Sequence, residues 1–128
     1  MSDKSTFARN AVVDALLRGT TLTGISPFVA LYIGNPYGAG VEVSTVGTNY
    51  SRQSVTFSAP SNGATSNSNT ISFGIASASY GGTVSHFALC DQVTGGNILY
   101  ADALTVSQTV NTGNEPKFAA TAITVQES

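Results

Sequence analysis

The sequence predicts a mainly β protein: a single β-sandwich or jelly-roll-like domain of about eight strands behind one N-terminal α-helix, filling residues 1–128. Three observations predict it. From residue 28 onward apolar side chains recur with a period of two, as in Val55 and Phe57 or Ile71, Phe73 and Ile75, the mark of half-buried strands. Turn formers interrupt that pattern at Asn35-Pro36-Tyr37-Gly38, Ser61-Asn62-Gly63, Gly81-Gly82, Thr94-Gly95-Gly96-Asn97 and Asn111-Thr112-Gly113-Asn114. Helical spacing occurs in one stretch alone, at the start, and many short strands with regular turns belong to sandwiches and jelly rolls.

The helix is expected over about residues 5–18. Ser5 or Asp3 is placed to cap its first turn, and Gly19 to end it in the left-handed conformation. Asn10, Asp14 and Arg18 fall four apart as a polar stripe, with Asp14 and Arg18 in reach of an ion pair. Nearly all the remaining surface is apolar, wider than the arc of about 100° that an outer helix needs. Ala8, Ala11, Val12, Ala15 and Leu16 are expected to cover the sheet or the open end of the sandwich. Val13 and Leu17 then lie on a second flank with no partner inside so small a domain, and are the expected interface residues.

Strands are expected at 28–34, 41–46, 51–58, 70–75, 83–91, 97–103, 105–110 and 117–125, so the sandwich spans about residues 28–125. The segment 59–69, the most polar in the chain, is expected to be a surface loop.

Composition narrows the function. Twelve of 128 residues carry charge, against 54 that are Ser, Thr, Asn or Gly, and one histidine and one cysteine complete the reactive inventory beyond seven carboxylates. Such a chain builds hydrogen bonds and tight turns but has little for acid–base or nucleophilic work, so no enzyme activity and no cofactor are expected. Five basic residues and a net charge of −2 give no basis for binding nucleic acid. The same small charge offers weak resistance to self-association, and a homo-oligomer is expected. A lone cysteine makes neither an internal disulfide nor a cysteine zinc cage. The first residues lack the apolar run of a signal peptide, and no stretch is long enough to span a membrane, so synthesis in a cytoplasm without export is expected.

Each candidate site has a plain structural reading. His86, in the strand TVSHFALCD, can be grouped with Ser85 and Asp91 or Asp102 as a triad, but triads are defined by geometry and no nucleophile-elbow motif is present. A hydrogen-bonded strand histidine is expected. Cys90 has no neighbouring cation to lower its pKa and reads as a small buried hydrophobe. The oxygens of Asp91–Asn97 lack the acidic repeat of a calcium loop, and a hairpin with Gly95-Gly96 accounts for them. Gly38-Ala39-Gly40 lacks the strand-to-helix setting of a phosphate loop. Five dispersed tyrosines read as core and rim packing rather than as a sugar-stacking surface.

The run Gly82-Thr83-Val84-Ser85-His86-Phe87-Ala88-Leu89-Cys90-Asp91, followed by Gly95-Gly96-Asn97-Ile98-Leu99-Tyr100, resembles a family of short tailed-bacteriophage structural proteins. So do the opening Asn10–Gly19, the strand Ala30-Leu31-Tyr32-Ile33-Gly34 and the ending Phe118-Ala119-Ala120. Members of that family are tail-fibre or virion structural proteins, and similar β-sandwiches serve as trimeric capsid decoration proteins. The resemblance implies a virion component made in the host cytoplasm. Its first expectation is a decoration (cement) protein: a trimer binding the major capsid protein across subunit junctions, with Val13 and Leu17 in contact. The alternative is a tail-fibre or baseplate adhesin recognising a host glycan through loops 35–40 and 59–69, with Tyr37 or Tyr80.

Overall fold

The computed structural model describes residues 3–21 and 24–126. Ten strands and one helix follow in the order β1 (Asp3–Lys4), α1 (Thr6–Leu17), β2 (Phe28–Ile33), β3 (Val41–Glu42), β4 (Gln53–Ser54), β5 (Ala64–Ser66), β6 (Ile71–Ser72), β7 (Thr83–Cys90), β8 (Ile98–Thr109), β9 (Lys117–Phe118) and β10 (Thr124–Gln126). The predicted class holds: mainly β, antiparallel throughout, with one helix. No helix among the described residues is long and apolar enough to cross a membrane.

The main sheet runs β1-β8-β7-β2-β3, with β4 pairing β2 beyond the end of β3. β2 and β7 form its centre, in register from Phe28 opposite Cys90 to Tyr32 opposite His86. Their runs of consecutive buried residues reflect cover on both faces, where alternation gives way to continuous apolar sequence. One face carries Val29, Leu31, Phe87 and Leu89, which pack with Ile71 from the β6–β9 pair and Val125 from the β10–β5 pair. These two small pairs make the second layer of a sandwich-like body. The other face carries the small residues Ala30, Ala88, Cys90 and Ala101.

α1 begins where β1 leaves the sheet. Ser5 still donates its N–H to the Leu99 carbonyl at 2.9 Å, and its hydroxyl caps the helix by accepting from the Ala8 N–H at 3.1 Å. Gly19, at φ +70°, closes the other end in the left-handed region that glycine enters without strain. Asp14 and Arg18 pair at 3.5 Å. The helix leans on β8, and of its residues Ala8 alone is fully buried.

Leu16 corrects the expectation. It lies in solvent, 77% exposed, rather than on the sheet. It follows Ala15 by one residue, hence by about 100° of rotation. The sheet takes the narrow stripe of alanines and leaves Leu16 on the outward side.

The strand boundaries also differ. Segments 97–103 and 105–110 are one strand, β8, with a register shift where the sequence seemed to break: Leu104–Ser107 on β8 face a single residue, Ser85, on β7. The loop 59–69 contains β5 and the fully buried Asn67. The Asn67 amide donates to the Asn69 and Ala119 carbonyls at 2.8 and 3.0 Å, and its Oδ1 accepts from the Ile123 N–H at 2.8 Å. A polar residue is buried there because every hydrogen-bonding group it brings is used. The stretch 117–125 is divided into β9 and β10 by a turn with Thr121 at φ +70°.

Candidate functional site

Two surfaces stand out. The first is the outward side of α1, where Val13 is 50% exposed, Leu16 77% and Leu17 79%. Val13 and Leu17 are the residues expected from sequence to lie off the sheet, and the structure leaves both in solvent. Leu16, three residues after Val13, joins them on one patch because positions three and four apart are neighbours on a helix.

The second is a groove of about 1030 Å³ where the core opens between β8 and β9. Its base is made by core side chains, among them Phe87, Val110 and Phe118, with Phe87 and Phe118 meeting edge to face at 6.0 Å. One wall is the extruded segment of β8. The other is the turn before β9, pinned by reciprocal bonds: Ala76 N–H to the Asn114 carbonyl and Gly113 N–H to the Ala76 carbonyl, both at 2.8 Å. Sequence inspection missed the groove, since nothing local announces that a four-residue excursion on β8 will face the turn at 114–116.

The remaining candidates are held by contacts within the chain. The Ser85 hydroxyl lies 2.8 Å from His86 Nδ1 and accepts from the Gly34 N–H at 3.0 Å, so this serine helps hold the end of β2. Asp102 stands opposite Phe87, whereas His86 stands opposite Ala103, which puts Asp102 and His86 on different faces of the sheet. Asp91 accepts from the Asn97 N–H at 2.7 Å and from its amide at 3.2 Å, closing the hairpin loop. The Asn97 backbone bond is the main reason its carboxyl sits below the usual range. Cys90 is buried, and burial pushes its thiol up to about 11. No group of three or more metal-ligating side chains occurs among the described residues.

Tyr80 is buried against Tyr50 and cannot stack on a sugar from solvent, and the segment 59–69 holds β5 and the buried Asn67. Tyr37 remains exposed on its turn.

A network unseen in the sequence ties the hairpin to the sheet. Arg52 donates Nε and Nη2 to the two Glu42 carboxylate oxygens, both at 2.9 Å, and Nη1 to the Gln92 and Gly95 carbonyls, both at 2.8 Å. Tyr50 donates to Glu42 at 2.7 Å and accepts from the Leu31 N–H at 3.0 Å. Burial, then the bond to Glu42, hold the Tyr50 phenol well above its ordinary pKa.

No curated relative matches the sequence. The family model described as podophage GP4 fiber I protein gp80 matches residues 3–126. With nearly its whole length covered, the chain belongs to this family of phage fibre proteins and is a virion structural component.

Proposed function

We propose that the chain is a subunit of the phage tail fibre that works by binding rather than catalysis and docks through the outer side of α1. The observation that carries this is the patch of Val13, Leu16 and Leu17 standing in solvent while the opposite side of the helix is used on β8. Burying one such side chain contributes roughly 1.5–3 kcal/mol, so a neighbour that covers all three gains a substantial interface core.

The neighbour we infer is a second copy of the chain, in a homo-oligomer with a trimer as the expected form. The ionic pair beside the patch, Asp14 with Arg18, balances its own charge, and the net charge of −2 opposes the approach of identical copies only weakly. The family description favours the fibre over capsid decoration, which would instead set this patch against the major capsid protein.

The test is Leu17→Arg, alone and with Leu16→Arg. Each variant should melt cooperatively near the wild-type temperature, sediment as a smaller species and be depleted from purified particles. Wild-type sedimentation and incorporation of the double variant would overturn the docking role.

A further inference from the structure

We propose that the free edge of β8, from Leu104 to Thr109, pairs with the same edge of a second copy, antiparallel about a twofold axis at Val106. This contact is separate from the one through α1 and does not rest on it.

The main chain identifies the kind of partner. β1 pairs with β8 at Tyr100 and Ala101, and among the described residues no strand pairs with that side of β8 beyond them. On its other side, β7 sets only Ser85 against Leu104–Ser107. The groove between β8 and β9 is lined by Asp102 through Val106 without a gap. Successive side chains of a strand point to opposite faces, so a single face supplies every second residue. The groove is therefore bordered by the edge of β8. A row of N–H and C=O groups at strand spacing is completed by another strand rather than by an ion or a small molecule.

The sequence of the edge points to an identical partner. Edges that stay single are blunted by shortness, charge or proline. The opposite edge of this sheet conforms, since β3 has two residues and one is Glu42. The edge of β8 does not: Thr105–Thr109 are all exposed, and neither a charge nor a proline occurs from Ala103 to Asn114. Thr105, Val106 and Thr109 are β-branched and suit a paired strand. About a twofold at Val106, Thr105 faces Ser107, and the two Val106 side chains, 66% exposed in the single copy, cover each other. The one charged residue of β8 is Asp102. The axis sets its two copies about 27 Å apart along the extended pair, well beyond a screening length of about 8 Å.

The test is a crosslink in the full chain. Val106→Cys brings two thiols across the axis within disulfide reach, and on oxidation it should give a covalent dimer. Val93→Cys, half-exposed in the loop at the other end of the β7–β8 hairpin, should not. Val106→Lys sets two ammonium groups across the axis. It should weaken self-association about tenfold or more in sedimentation equilibrium, with the circular dichroism of the folded wild type. Adding Leu17→Arg to Val106→Cys should leave the crosslink intact, so that failure of the α1 contact and failure of this one are read separately. No covalent dimer from Val106→Cys, a crosslink no faster than that of Val93→Cys, or wild-type sedimentation of Val106→Lys overturns the proposal. A crosslink formed in particles only to a different protein also overturns it, because the edge then seats another partner.

Discussion

At the scale of single residues, burial and hydrogen bonding within the chain set three measurements, on Cys90, Arg52 and Asp91. Cys90 is buried with its thiol raised to about 11, so the native protein at pH 8 should resist a thiol reagent that labels the denatured chain fully. Labelling at equal rates in both states would show that the strand end is open. Arg52 has a side chain only 8% exposed and four hydrogen bonds to other groups, so Arg52→Ala leaves the Glu42 carboxylate and two loop carbonyls short of a partner. A loss of about 2–3 kcal/mol is expected in urea unfolding. Asp91 has a lowered pKa in the folded state, so its contribution is present at neutral pH and is lost as pH falls through the folded value. The protection factors of the amides in residues 92–97, corrected for the intrinsic exchange rate at each pH, should therefore fall in acid, and Asp91→Ala should abolish that change in protection. That His86 is hydrogen-bonded within a strand and that Cys90 is buried were legible because their surroundings in sequence are apolar. The Glu42–Arg52 network was not, since it joins residues ten apart to a loop forty positions on, a relation that only the folded chain creates.

At the scale of elements, α1 and the hairpin between β7 and β8 are the parts most plainly written in the sequence. The Ser5 cap, the Gly19 terminator and the Gly95-Gly96 turn are local devices, each using the conformation that its residue type favours. The side on which the helix packs was legible only in part. Periodicity marks Ala8, Ala11 and Ala15, but how far around the helix the sheet reaches depends on the width of its partner. That is why Leu16 was expected inside and lies outside. The consequence is specific: Leu16→Arg should cost less than about 0.5 kcal/mol in the isolated domain, as for an ordinary surface substitution. Ala8→Arg, at the contact with the sheet, should unfold it. Thermal melts of the two variants decide the matter, and equal damage from both would mean that the outer side is covered within the domain itself.

At the scale of the whole molecule, the sandwich-like architecture follows from alternation and turn spacing, and the family membership is consistent with a chain that invests in neutral hydrogen bonds rather than in charge. The second layer was harder to read. β5 and β10 are short, and the buried Asn67 that fixes the turn at 119–123 looks from composition like part of a solvated loop. The groove escaped notice for a related reason, since it belongs to the space between two layers rather than to either. The account's central claim, a tail-fibre subunit, is tested most directly by counting and locating the protein in purified particles, with quantitative mass spectrometry for copy number and antibody-gold labelling for position. A handful of copies, labelled at the tail, is the predicted result; hundreds of copies, labelled over the capsid shell, would contradict it.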